Sequence, residues 1–182
     1  MLRRVCFLTV LSLLFFAGSV TKAQSDKPAN QAPAGKDVVL KASEIKVKLF
    51  PAQVFYGGKV APVQLDNTGG VHFADGPYVL AGLVVTAGYS TSMQEKYQGY
   101  LLVEAPLEIG GQQLKPGAYG FGFVTGGKFV VTDLGGHDVL EVASTHDAKI
   151  HRPVPLQVTA AESAGTYCLY RGRDYVEFHR AE

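Results

Sequence analysis

Tryptophan is absent from this 182-residue chain, and cysteine occurs only at positions 6 and 168. Without tryptophan, any aromatic platform for a sugar has to rest on tyrosine and phenylalanine. Cys6 falls in an N-terminal apolar run, so Cys168 stands alone in the remainder and has no internal disulfide partner. Stability must then come from packing. Neither sign of charge prevails: 17 basic residues face 16 acidic ones. Nothing in that balance draws the chain strongly to nucleic acid or to an anionic membrane. The sequence has no GxSxG elbow and no P-loop; Gly120-Phe121-Gly122 matches GxG by letter only, inside an expected strand with no helix after it. Paired CxxC and HExxH signatures are missing too. No window sustains a long 3.6-residue period, and no tandem repeat of 20–50 residues is evident.

The N-terminus carries the strongest address signal. Arg3 and Arg4 precede an apolar run from Val5 to Val20, and Thr21-Lys22-Ala23 leads into Gln24-Ser25. A basic start, a short apolar middle and small residues near the cut make a secretory signal peptide, with cleavage expected after Ala23. The competing reading is a retained anchor. The run is near the lower limit for spanning a bilayer and is interrupted by Thr9, Ser12 and Gly18. Cys6 lies before the small residues, a poor position for a lipidated N-terminal cysteine.

Removing 23 residues from 182 leaves 159, enough for one domain with a real core. Arg3, Arg4 and Lys22 go with the leader, so 14 basic residues then face 16 acidic ones, a net of −2. An exported protein, periplasmic or extracellular, is expected, with no nucleic-acid partner and no stable membrane insertion once the leader is gone. Residues 24–37 (QSDKPANQAPAGKD) read as a flexible linker, and 38–182 as the domain.

From Val38 onward, short apolar runs punctuated by Gly, Pro, Asn and Asp argue for an all-β fold. Gly126-Gly127 offers a two-residue hairpin turn. That register sets Phe123 opposite Val130, Phe121 opposite Thr132 and Tyr119 opposite Leu134, one aromatic face, and leaves Gly120 and Gly122 on the other. A second hairpin with Gly172-Arg173 as its turn pairs Leu169 with Val176, Tyr167 with Phe178, Cys168 with Glu177, Tyr170 with Tyr175 and Thr166 with His179. Further strands are expected at 43–50, 52–56, 59–64, 78–86, 97–104, 107–109, 138–143 and 154–160. The nearly continuous apolar run from Tyr78 to Val85 belongs in the core. One short helix is expected at 92–97, where Ser92 and Glu95 have capping-box spacing.

The segment Leu107-Glu-Ile-Gly-Gly-Gln-Gln-Leu-Lys-Pro-Gly-Ala-Tyr119 runs strand, glycine turn, leucine, then Pro-Gly-x-Tyr into the next strand. Together with the closing hairpin it resembles a family of uncharacterised exported bacterial β-sandwich proteins, over about residues 105–180. The resemblance implies a sandwich and export. It brings no catalytic residues, because none are assigned in that family.

Three constellations carry candidate chemistry. His137, His146, Asp147 and His151 supply imidazole and carboxylate, the ligands of zinc, copper or iron; turn chemistry at strand ends is the commoner role of such residues. Cys168, Glu177 and His179 share one face of the closing hairpin, where a thiol beside an imidazole is a nucleophile in outline and a small apolar cysteine in a sheet by default. Tyr56, Tyr89, Tyr97, Tyr100, Tyr170 and Tyr175 are the aromatic candidates for a ligand platform, with Tyr89, Tyr97 and Tyr100 foremost; packing is the commoner fate. Glu104, Glu108 and Glu141 read as ordinary strand-end charges.

An outer-membrane β-barrel is the rival architecture, since the length suits eight strands. Against it stand the short strands, the ending Phe178-His-Arg-Ala-Glu182, the linker, and the proline-containing segments 50–62 and 153–155. The expectation is therefore an all-β, single-domain sandwich of mostly antiparallel strands. Its expected role is a non-enzymatic binding or interaction module for a protein or small-molecule ligand, with no cofactor strongly implied. A metal-binding protein using the 137–151 loops is the alternative.

Overall fold

A computed structural model describes residues 35–181. The expected signal peptide, and the linker as far as residue 34, lie outside the described residues. Along the chain run β1 (Val38–Lys41), α1 (Ala42–Leu49), β2 (Gln53–Tyr56), β3 (Lys59–His72), β4 (Tyr78–Val84), α2 (Thr91–Lys96) and β5 (Gly99–Val103). Then come β6 (Leu107–Ile109), β7 (Gln112–Leu114), β8 (Gly117–Val124), β9 (Lys128–Thr132) and β10 (Asp138–Ala143). The last are β11 (Thr145–His146), β12 (Gln157–Ala160), β13 (Thr166–Arg171) and β14 (Asp174–Arg180).

These strands form two antiparallel sheets, as the all-β sandwich requires. The larger has the order β1-β3-β4-β5-β8-β9-β10, with β2 also on β3; the smaller has the order β12-β13-β14-β6-β7, with β11 also on β14. Each sheet has two ends, so the described strands do not close into a single barrel. No helix among the described residues is long and apolar enough to cross a membrane.

Between the sheets lies the main core. The large sheet contributes Val79, Ala81, Leu83, Leu101, Phe121, Phe129 and Val131, and the small one Leu107, Ile109, Val158, Tyr167, Leu169, Val176 and Phe178. Glycines let the two layers meet at both margins. A Cβ on Gly69 of β3 would stand 2.9 Å from the Val158 amide nitrogen of β12, and one on Gly110 would stand 2.9 Å from Val142 of β10.

The large sheet is covered on its other face as well. Leu40, Ile45, Phe50, Val54, Tyr56, Leu80, Val84, Tyr89, Tyr97 and Tyr100 form a second core there, beneath α1, α2 and β2. Burial on both faces explains why Tyr78–Val84 reads as one apolar run: its odd and even positions serve different cores. Among the described residues the small sheet has no such cover, and its outer rows carry Thr159, Cys168 and Glu177, then Tyr170 and Tyr175, then Thr166, His179 and Glu108.

Four expectations need correction. Of the expected strand 43–50, residues 43–49 belong to the kinked helix α1 and Phe50 is its C-cap. Glu44-Ile45-Lys46-Val47-Lys48-Leu49 alternates like a strand, but β1 and β2 already pair with successive stretches of β3. Helical hydrogen bonding satisfies the backbone of the connection, the Glu44 carboxylate accepts the Lys41 amide at 2.9 Å, and Ile45 and Phe50 are buried. Among the described residues there are therefore two short helices, not one. Second, β3 runs on to His72, well past residue 64, through an irregular pairing between Val63 and Thr68.

Third, α2 starts one residue early and is capped by Ser90, whose side chain accepts the Met93 amide, so Ser92 is not the cap. Fourth, the β8–β9 hairpin is shifted by one residue: Phe123 faces Phe129, Phe121 faces Val131, Gly122 faces Val130 and Gly120 faces Thr132. Its loop is Thr125-Gly126-Gly127, three residues rather than two, with both glycines at positive φ. The shift places Phe129 and Val131 in the main core, whereas the two-residue turn would have placed Thr132 and Leu134 on the aromatic face. The closing hairpin has the expected register throughout, including Cys168 opposite Glu177 and Tyr170 opposite Tyr175.

Candidate functional site

The outer face of the small sheet, which no other described element covers, holds a groove of about 510 Å³. Its floor comes from Thr159 of β12, Cys168 and Tyr170 of β13, and Tyr175 and Glu177 of β14; segments 145–149 and 160–163 form its walls. Strand alternation puts the floor residues together, because Val158, Leu169 and Val176 between them point into the core.

Tyr170 and Tyr175 are cross-strand partners, with ring centroids 4.8 Å apart and planes 30° apart. The Tyr170 hydroxyl reaches an Asp147 carboxylate oxygen at 3.5 Å, a long bond. Burial raises the Tyr170 phenol to about 12, with nearby Cys168 and Asp147 adding to the effect. Asp147 also accepts the Lys149 amide at 2.9 Å, which holds the wall in a turn. His146, on the same wall, places Nδ1 2.7 Å from Asp174 Oδ1.

Cys168 is only 6% exposed although it sits on the outer face. Burial, and after it the carboxylates of Glu177 and Asp147, push its thiol up to about 11. At neutral pH it is protonated and therefore a poor nucleophile. His179 belongs to the next row, opposite Thr166, and its Nε2 lies 3.8 Å from Glu108 Oε1. Cys168, Glu177 and His179 thus share a face without forming a thiolate–imidazole pair.

The foremost aromatic candidates lie elsewhere. Tyr97 stacks on Tyr56 at 3.6 Å and 15°, and Tyr89 meets Tyr97 edge-on at 5.5 Å. The Tyr89 hydroxyl donates to the Tyr56 carbonyl at 2.9 Å, and Tyr100 packs edge-on against Phe50. All three are buried in the second core, where they join the α2 segment and β2 to the large sheet.

The histidines do not converge. His137 sits in the β9–β10 turn with Nδ1 3.0 Å from Asp133, whose carboxyl its backbone amide and ring hold below the usual range. His146 and Asp147 line the groove, while His151 is exposed in the loop beyond. Among the described residues no group of three or more His, Cys, Asp or Glu side chains is placed to hold a metal ion.

Sequence reasoning paired Tyr170 with Tyr175 and Cys168 with Glu177, so four of the five floor residues were within reach. It passed over Thr145, Thr159, Glu162 and Ser163, because what recruits them is the path of two loops. No family model, curated protein or solved structure matches this chain.

Proposed function

We propose that this is an exported, non-enzymatic binding module whose ligand seat is the outer-face groove of the small sheet. The observation that supports the reading is the contrast between the faces: the large sheet is buried on both, whereas the small sheet presents an aromatic pair, a thiol and carboxylates around a concavity. Its volume lies within the range of small-molecule sites, about 300–1,000 Å³. A thiol held protonated and an imidazole in the next row favour binding over covalent chemistry. Export rests on the Arg3–Ala23 segment.

Two measurements test this reading. Intact-mass analysis of protein recovered from the producing cell should find a chain starting at or within a few residues of Gln24, outside the cytoplasm; an uncleaved cytoplasmic chain refutes export. A thermal-shift panel of small cations, anions and neutral sugars should yield at least one compound that raises the melting temperature. Tyr175→Ala should abolish that shift with little change in the unliganded melting temperature. A panel without any hit, or a shift that survives the substitution, removes the groove as the seat.

A further inference from the structure

The charges around the groove point to the sign of its ligand. Asp147, Glu162 and Glu177 line it against the single ammonium of Lys149, and the one imidazole, His146, is already engaged by Asp174. Lys149 is exposed, so its charge is well hydrated at the rim. Tyrosine ring faces attract cations through the ring quadrupole, and the two half-buried rings lie side by side on the floor. The Cys168 thiol is more than nine-tenths buried, lines the same floor and forms no hydrogen bond among the described residues. It offers a soft, polarizable surface suited to methyl or methylene groups.

We propose that the groove binds a small organic ammonium cation. Its charge meets Asp147, Glu162 and Glu177, and its hydrocarbon part lies over Tyr170, Tyr175 and Cys168. An anion would meet three carboxylates and one hydrated lysine. A neutral sugar would use the rings but leave the excess of negative charge without a role. This inference rests on the groove being a ligand seat, as proposed above.

The test is calorimetric titration of the full mature protein with putrescine and with choline as probes, beside succinate and glucose as controls. The expected result is that at least one of the two cations binds with a Kd below about 1 mM. Glu177→Gln, exposed and nearly isosteric, should weaken binding about fivefold, and Lys149→Gln, which removes the competing charge, should tighten it by about the same factor. The opposite signs separate an electrostatic effect from general damage, and an unchanged melting temperature in both variants verifies the fold. Binding of succinate or glucose without either cation, lost in Tyr175→Ala, overturns the cation proposal and leaves the groove reading standing. Cation binding indifferent to both charge substitutions overturns it as well. No binding by any of the four probes overturns the cation proposal; the groove reading is then decided by the wider panel.

Discussion

Gly122 shows what a single hydrogen does in this molecule. A Cβ there would stand 2.6 Å from the Lys96 carbonyl oxygen and 2.8 Å from that of Glu95, backbone atoms at the end of α2 that have little room to yield. Gly120 likewise faces the Tyr56 and Tyr97 rings. The bare glycine face of β8 is therefore the seat of the α2 layer, and Gly122→Val should cost about 3 kcal/mol in a denaturant melt. Two buried tyrosines make an opposed pair of predictions. The Tyr56 hydroxyl shares a 2.6 Å bond with the Thr132 hydroxyl, so Tyr56→Phe strands Thr132 and should cost about 1–2 kcal/mol. Among the described residues the Tyr97 hydroxyl is buried without a partner, so Tyr97→Phe should be neutral or stabilising by up to about 1 kcal/mol. Equal losses in both variants would contradict this account of the second core.

At the scale of elements, the sandwich closes where strands approach over glycine. Gly69 brings β3 against the β12 backbone, the margin beside which the groove begins. Gly69→Ala should lower stability by about 2 kcal/mol and speed hydrogen exchange in Gln157–Ala160 more than in β4. Exchange that rises equally everywhere would argue against a local hinge. The two hairpins show what an element reveals of itself. In the closing one, sliding by one residue would set Leu169 against Tyr175 or Glu177 instead of Val176, so the apolar pattern selects one register. In β8–β9, both faces of the large sheet are buried, and Val130, Val131 and Thr132 are all acceptable inside. Register there was decided by the three-residue glycine loop and by the fit of Phe129 against Phe123, at 4.9 Å. Segment 43–50 misleads for a related reason: its alternation is real, but β3 already has its partners.

For the whole molecule, buried phenols and one buried thiol make stability depend on alkaline pH. Burial raises Cys168 from 9.0 to about 11 and Tyr170 from 10.0 to about 12, and it raises Tyr56, Tyr97 and Tyr167 in the same direction. Below the unfolded values both states are protonated and these groups leave stability unchanged. Above them the unfolded chain releases protons first, so stability falls as pH rises. Denaturation midpoints should therefore be flat near pH 8 and decline from about pH 9 to 11. A midpoint that does not move over that window would mean that these groups reach water. At pH 8 an aromatic disulfide reagent should label Cys168 slowly in the native protein and at once in denaturant.

The local sequence alone determined the strand-rich class, the core role of 78–84, the register of 166–179 and the short helix near Tyr97. Each follows from neighbours in the chain: apolar alternation, a turn glycine, a polar residue ahead of a helical turn. Only the tertiary structure decided that the large sheet is covered twice, that Tyr89, Tyr97 and Tyr100 are packing, and that His137, His146 and His151 lie apart. It also decided that a groove forms over Cys168 and Tyr170, with two loops as its walls. Those outcomes depend on which segment lies over which sheet face, a long-range competition for buried area and backbone partners that no short window of residues records.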